Sequence, residues 1–315
     1  MNTEQEMSPP ETLVEIRAGL KAFPMDRYAY ATMISEWLEI KDSEAPFNEL
    51  QLCRELGVAN DFGGNVERQR ISEALKLLVF AGKLKKVENR FGFFRLINKD
   101  LEKIDYMNAS EAESDLWLPF DITDLLRIYP GLIVIAGNPN AGKTSICLNI
   151  ARENQNKGWD VHYFQDEMSP TEFKVRLLKF PFPIESWEIN AYQRSGDYED
   201  VVKSGPNDLN IIDYVTVYTD FFAIGGVLNE IAKASGEAIT IVCIQKNPGQ
   251  DTGLGGQRTL ERCRIALSLE YGKVKIVKGK SVRDPEKNPF MAHKKFDIYD
   301  SHNLTWRDGW MRDKE

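Results

Sequence analysis

The sequence predicts an α/β protein with a mainly parallel sheet, preceded by a small winged helix-turn-helix domain. After residue 119, short β-rich apolar runs alternate with helical stretches, which is typical of a parallel sheet covered on both faces. Before residue 100, helices are followed by two strand-like pieces. The residues between, 100–118, are acidic and polar, as in a linker. We therefore expect a tail over 1–10, a winged-helix-like domain over 11–99, a linker over 100–118 and an α/β domain over 119–315.

Composition places the chain among folded proteins. Its 315 residues suffice for two domains of roughly 100–200 residues each. The 42% hydrophobic and 28% charged residues argue against disorder. No apolar run reaches the roughly 20 residues of a membrane helix, and the first residues lack a basic start and an apolar core. We expect a cytoplasmic protein with no membrane partner.

Cysteines and histidines are few. The cysteines lie far apart, mostly in apolar runs, which predicts reduced core residues rather than disulfides or a zinc site. The histidines never pair at ligand spacing, so no structural metal is expected. The residues concerned are Cys53, Cys147, Cys243, Cys263, His162, His293 and His302.

Charge is unevenly distributed along the chain. The net charge of −8 excludes a uniformly basic DNA-coating protein. Residues 1–65 carry a net −7, whereas residues 66–99 and 273–295 each carry a net +6. Such local basic surfaces can bind phosphates on an acidic protein, although solvated faces give the same pattern.

The first domain has the element order of a winged helix. Two helical stretches within residues 11–50 precede a short helix, FNELQLCRELGV, and a Gly-rich turn at 61–65. A longer helix follows, in which Ile71, Leu75, Leu78 and Val79 share one face. Two strands, LKKVE and GFFRLI, form the wing.

The longer helix and the wing carry the basic residues of this domain. In a winged helix they would contact duplex DNA, but a winged helix can equally bind protein. The candidate DNA contacts are Arg68, Arg70, Lys76, Lys85, Lys86, Arg90 and Arg95.

A phosphate-binding loop is the strongest motif in the sequence. It matches GxxxxGK[ST], with the strand LIVIA before it and a helix after it, as this loop requires. Its backbone N–H groups would face the β-phosphate of ATP, with Lys143 neutralising the β- and γ-phosphates and Thr144 holding Mg²⁺. The loop residues are Gly137, Asn138, Pro139, Asn140, Ala141, Gly142, Lys143, Thr144 and Ser145.

Four stretches in order resemble the RecA-like ATPase domain of DnaB-type replicative helicases and their phage and plasmid relatives. They are GLIVIAGNPNAGKTS, VHYFQDEMSPTEFKVRLL, LNIIDYV and ITIVCIQK. The resemblance extends over roughly residues 119–305. It implies a RecA-like P-loop NTPase core that hydrolyses ATP with Mg²⁺.

The resemblance also implies roles for residues at the strand ends. Glu167 would polarise the attacking water, with Asp166 as a weaker alternative and an exposed helix-start acid as the plain structural explanation. Asp213 would bind a water on Mg²⁺. Gln245 would sense the γ-phosphate and couple it to the DNA loops.

Two loops and a basic turn complete the resemblance. In RecA-like hexamers, loops corresponding to 218–226 and 246–262 face the central channel, so single-stranded DNA is the expected partner. The second loop contains Arg258 and Arg262. Disordered surface loops would give the same composition.

Lys278 and Lys280 stand near a Lys-x-Arg pair that reaches the γ-phosphate of a neighbouring subunit in the family. Lysine at the second position lacks the bidentate fork of arginine. Arg283 could serve instead, and a solvated basic turn is the plain alternative. Cys263-Arg264 also departs from the family, which has an acidic residue nearby, and the family's usual N-terminal domain is all-helical. These departures favour a phage or mobile-element relative.

Three functions fit these features. The first is a ring-shaped helicase or translocase that acts in DNA replication. The second is a DNA-site-binding ATPase, such as a replication initiator or regulator, in which ATP controls assembly without unwinding. The third is a recombinase-like filament.

Overall fold

The computed structural model describes residues 26–41, 45–57, 64–87, 90–97, 101, 103–215 and 223–312. The chain divides into two compact units, Met1–Ala109 and Ser110–Glu315. The expected tail, the first helical stretch and most of the loop 218–226 lie outside the described residues.

The first unit combines three helices and a small antiparallel sheet within its described residues. The helices are α1 (Arg27–Lys41), α2 (Glu49–Glu55) and α3 (Gly64–Phe80). The strands are β1 (Phe47–Asn48), β2 (Leu84–Lys86) and β3 (Phe93–Leu96), in the order β1-β3-β2. The two expected wing strands pair with each other, and the short β1 adds a third strand that its two residues did not predict.

Helical periodicity explains how α3 packs. Ile71, Leu75 and Leu78 are buried in the core of the unit, together with Trp37 and Phe47. Asn48 begins α2 as a cap, since its side-chain oxygen accepts a hydrogen bond from the backbone N–H of Gln51 at 2.7 Å. The element order of a winged helix is therefore present, while a DNA-binding role for this unit stays a prediction.

The second unit contains a nine-stranded sheet. Its strand order is β12-β11-β10-β9-β4-β8-β7-β5-β6. The run from β9 to β6 is parallel, and β10 to β12 add antiparallel strands at one edge. The strands are β4 (Gly131–Gly137), β5 (Asp160–Gln165), β6 (Ile189–Gln193), β7 (Asp208–Val215), β8 (Ile239–Gln245), β9 (Ile265–Glu270), β10 (Lys273–Gly279), β11 (His293–Tyr299) and β12 (Asn303–Met311).

Helices accompany this sheet, as the alternating sequence pattern predicts. They are α4 (Lys143–Gln155), α5 (Pro170–Leu177) and α6 (Ile224–Ala234). The apolar strand residues form two buried clusters, one containing Ile133 and Ile241 and the other containing Val134 and Val242. Because neighbouring residues of β4 and β8 belong to different clusters, these clusters lie on opposite faces of the sheet. The predicted mainly parallel α/β core is confirmed.

The end of the expected linker is part of the core of the second unit. Leu116 and Leu118 are each 2% exposed and pack in the larger apolar cluster. The backbone N–H of Trp117 also donates to the side-chain oxygen of Asn154 at 2.7 Å. The acidic composition of 100–118 hid these two leucines, so the linker interpretation is wrong for its last residues.

No helix among the described residues is long and apolar enough to cross a membrane.

Candidate nucleotide-binding site

The register of the parallel strands brings the candidate residues to one edge of the sheet. Gly137 at the end of β4 pairs with Gln245 at the end of β8. Gln165 at the end of β5 pairs with Asp213 in β7. Carboxyl ends of parallel strands are where α/β proteins bind ligands. Here they border a cavity of about 510 Å³.

The phosphate loop connects β4 to α4 and forms one wall of this cavity. Gly142 precedes the helix in a left-handed conformation, with φ of +94°. A Cβ at this position would overlap the side chain of Ile298 from β11. Glycine is therefore required both for the turn and for the close approach of the antiparallel strands.

Lys143 extends along the loop. Its Nζ donates to the backbone oxygens of Gly137 and Asn138, each at 3.1 Å. These are neutral acceptors within the loop itself, so a phosphate can replace them with a charge-assisted bond. The Nζ also lies 5.8 Å from the centre of the Tyr214 ring.

Thr144 and Asp213 form an oxygen-rich corner beside the loop. The Asp213 carboxylate is 3% exposed and accepts hydrogen bonds from the Thr144 and Tyr163 hydroxyls, the latter at 2.8 Å. Desolvation raises the pKa of Asp213 above its usual range, while those hydrogen bonds and the nearby Lys143 oppose the shift. A buried carboxylate next to a hydroxyl is a hard oxygen donor set that fits Mg²⁺.

The turn after β5 directs Glu167 towards the cavity. The Gln165 side chain holds this turn, since it accepts from the Met168 N–H at 2.8 Å and donates to the Met168 oxygen at 3.0 Å. Glu167 lines the cavity, whereas the neighbouring Asp166 does not. Partial burial and the Glu167 charge raise the pKa of Asp166. The structure therefore favours Glu167 over Asp166 as the acid nearest a bound nucleotide.

Gln245 lines the same cavity, and the next residue anchors the loop that follows. Lys246 is 3% exposed, and its Nζ donates to the Gln250 oxygen at 2.8 Å, the Ser268 hydroxyl at 2.9 Å and the Glu270 carboxylate at 3.2 Å. Lys246 thus stabilises the loop from within rather than offering charge to a phosphate backbone. Arg258 and Arg262, by contrast, are exposed.

The candidate trans-acting cations lie away from this cavity. Lys278 donates through Nζ to the Leu260 backbone oxygen. Arg283 forms two hydrogen bonds to the Glu113 carboxylate, at 2.6 and 3.1 Å, and so is held within its own unit. Lys280 is exposed, and its ammonium makes no hydrogen bond or ion pair with any described residue. Of the three, Lys280 is the one whose charge is free to reach a neighbour.

Sequence reasoning missed several residues that line the cavity. Arg176 reaches it from α5, and Tyr271 and Tyr299 border it from the antiparallel strands. The two rings are 93% and 57% exposed, which suits stacking on a nucleobase. Position explains the omission, because the motif contains none of these residues and the fold alone brings β10 and β11 against the loop.

Fold and site together define a P-loop ATPase with a RecA-like core. Residues 128–220 match the family model of the DnaB-like helicase C terminal domain. This segment of the chain is therefore a DnaB-like helicase ATPase core, as the sequence resemblance implies. The matched residues include the phosphate loop, Glu167 and Asp213, while Gln245, Lys278 and Lys280 lie beyond them.

Two solved structures resemble the chain. One is the ATPase domain of a helicase, with 15% identity and a TM-score of 0.44 over 56% of this chain and 85% of that one. The other is a KaiC-like protein from Pyrococcus horikoshii OT3, with 14% identity and a TM-score of 0.47 over 62% of this chain and 99% of that one. No curated protein sequence matches the chain.

Proposed function

We propose that the chain is an ATP-driven DNA helicase or translocase that works as a ring, in the replication of a phage, plasmid or other mobile element. The observation that carries the proposal is the convergence of Lys143, Thr144, Glu167, Asp213 and Gln245 on one cavity of a DnaB-like ATPase core.

ATP would enter with its phosphates on the loop from Gly137 to Ser145. Lys143 would exchange its two backbone acceptors for phosphate oxygens. Mg²⁺, held by Thr144 and through a water by Asp213, would neutralise charge on the β- and γ-phosphates. The base would lie at the open side of the cavity, against Tyr271 and Tyr299.

Glu167 would orient and deprotonate the attacking water. Its position on a turn clamped by Gln165 favours this role, because the carboxylate is fixed near the cavity without being buried. Gln245 would contact the γ-phosphate from the next strand but one. Hydrolysis would then alter the start of the loop 246–262, since the Gln245 oxygen accepts from the Leu254 N–H at 2.8 Å.

Single-stranded DNA would follow the exposed basic part of that loop. Arg258 and Arg262 offer charge for the phosphate backbone and no base-specific contact. In a ring, such loops from several subunits would line one channel. Lys280 would meet the γ-phosphate bound by the next subunit, which makes hydrolysis depend on assembly.

The second candidate function is a DNA-site-binding ATPase that assembles without unwinding. The basic residues of the first unit favour it, because Lys76, Lys86 and Arg90 are exposed on α3 and the wing. Arg68 contributes less to such a surface, since it forms a hydrogen bond with the Cys53 thiol. A sequence-specific footprint on duplex DNA, with no strand separation, would favour this function.

The test is the ATPase rate of the full chain with and without single-stranded DNA, with particle size measured on the same samples. We expect stimulation by DNA and an oligomer in the presence of ATP. A monomer whose rate ignores both DNA and protein concentration would contradict the ring motor. The Lys143→Ala variant is the control for contaminating ATPases, because it removes the charge that binds the β- and γ-phosphates.

A further inference from the structure

We infer that Asp160, His162 and Asp208 form a binding site for a divalent transition-metal ion at the edge of the sheet opposite the nucleotide cavity. Asp160 and His162 lie at the amino-terminal end of β5, where alternating side chains place them on one face. Asp208 begins β7, and the strand register pairs it with Asp160. The carboxyl ends of the same two strands border the nucleotide cavity, so the two sites are separate.

The distances match ligands that share an ion better than a hydrogen bond. His162 Nε2 lies 3.3 Å from Asp208 Oδ1 and 3.4 Å from Asp160 Oδ2. Hydrogen bonds from nitrogen to oxygen usually span about 2.7–3.2 Å. A tetrahedral zinc ion with ligand bonds of about 2.0–2.1 Å separates its ligand atoms by about 3.3–3.4 Å. All three ligand atoms lie within 4.8 Å of one another.

Each carboxylate is oriented by its other oxygen. Asp160 Oδ1 accepts from the Asn190 side chain at 2.8 Å, and Asp208 Oδ2 accepts from the Gly205 backbone N–H at 2.8 Å. One oxygen of each group is thereby fixed in place, and the remaining oxygen is directed at His162. Such outer hydrogen bonds are the usual support of metal ligands.

The charge of the cluster calls for a cation. Neither carboxylate pairs with a lysine or arginine anywhere in the described part of the chain. His162 is 4% exposed and its Nδ1 has no hydrogen-bond partner, so protonation would leave a buried, unpaired N–H. Neutral His162 then leaves two carboxylates uncompensated. A divalent ion supplies the missing charge, and imidazole with carboxylates suits zinc or manganese.

Access and affinity follow from the same geometry. The Asp160 side chain is 59% exposed, which gives an ion a path from solvent and leaves room for water as a fourth ligand. The unpartnered Nδ1 lacks the outer hydrogen bond of most ligating histidines, a loss worth about 10–100-fold in affinity. We therefore expect micromolar rather than tighter binding. The linear spacing of histidines gave no sign of this site because two of its ligands are aspartates and one lies on another strand.

The experiment titrates Zn²⁺ into the full chain without nucleotide and follows thermal unfolding. We expect a saturable rise in Tm of about 5 °C at 100-fold excess over the Kd. Asp160→Asn, which changes an exposed carboxylate, should fold normally without zinc and lower zinc affinity at least tenfold. His162→Gln should do the same. Asp200→Asn is the matched control, since it neutralises an exposed acid of the same unit outside both sites.

A second probe separates this site from the buried group Cys147, Asp213 and Cys243, which also brings three ligand atoms together. Cobalt bound by imidazole and carboxylates gives weak visible bands, whereas thiolate ligands add strong near-ultraviolet absorption. We expect only weak visible bands, lost in Asp160→Asn. The inference is overturned if zinc leaves the Tm unchanged, if Asp160→Asn binds as tightly as the wild type, or if strong absorption disappears in Cys147→Ser.

Discussion

At the residue scale, chemistry concentrates where burial and charge oppose each other. Asp213 is a buried carboxylate beside Thr144, Tyr163 and Lys143, and its raised pKa reflects the loss of water around it. Mg²⁺ would restore the charge balance that burial removes. Glu167 stands on the cavity wall without that desolvation, which suits an acid that must exchange protons with a water molecule.

Glu167→Gln is the variant that tests the hydrolytic assignment. It keeps the size and polarity of the side chain but removes the base, so kcat should fall by about 10²–10⁴ while ATP affinity stays near that of the wild type. Asp166→Asn is the matched control and should keep most of the rate. Steady-state kinetics and nucleotide titration measure both quantities. Equal losses in the two variants would show that Glu167 has no special role.

The pKa of Asp213 sets the pH dependence of Mg²⁺-dependent nucleotide binding. Only the carboxylate form binds the ion, so affinity should be lost as pH falls through a pKa raised above the ordinary 3.8. Tyr163→Phe removes a hydrogen bond that lowers this pKa, and should therefore move the loss to higher pH. Titrations of Mg²⁺ and ATP across pH, on Glu167→Gln to prevent turnover, compare the two. An unchanged or lower midpoint in the Tyr163→Phe background would contradict the assignment.

At the element scale, buried apolar strands were predictable and exposed edge strands were not. The runs around Ile133, Ile211 and Ile241 are continuous and buried, so the sequence alone predicts strands there. β6 and β12 escaped prediction because their residues are mostly exposed and polar. The phosphate loop was predictable from its motif, whereas Tyr271 and Tyr299 reach the cavity only through the antiparallel strands.

Lys246 links the γ-phosphate sensor to the candidate DNA loop. Its three hydrogen bonds hold the start of the loop against β9, at Ser268 and Glu270. Lys246→Met should lower the free energy of unfolding by roughly 1–3 kcal/mol because it leaves buried acceptors unpaired. It should also reduce the stimulation of ATPase activity by single-stranded DNA.

Denaturant unfolding and ATPase assays with a DNA titration measure these two effects. Lys287→Met, a change at an exposed lysine, is the control and should alter neither. Full DNA stimulation in a destabilised Lys246→Met protein would mean that the loop does not need this anchor.

At the scale of the whole molecule, the proposal requires catalysis between subunits. The cavity has Lys143 from its own chain, and Lys280 is exposed elsewhere on the same unit. A cation that reaches a neighbour's γ-phosphate contributes about 10³–10⁵ in rate. Specific activity should then rise with protein concentration, because a monomer cannot supply this group to its own nucleotide.

Mixing Lys143→Ala with Lys280→Ala subunits tests this arrangement. Each variant alone should be nearly inactive, but some boundaries of a mixed ring join an intact loop to an intact lysine. We expect partial recovery of ATPase activity, with co-assembly confirmed by light scattering. Lys287→Ala, mixed in the same way, should leave the activity of its own loop intact. A fully active Lys280→Ala variant would remove Lys280 from the mechanism.

Unwinding of a forked DNA duplex by the full chain tests the central claim most directly. We predict strand displacement that requires ATP, stops in Lys143→Ala and in Glu167→Gln, and occurs only at protein concentrations where the oligomer is present. ATPase activity stimulated by DNA, with neither strand separation nor movement along single-stranded DNA, would contradict the motor and leave the DNA-site-binding ATPase as the better account.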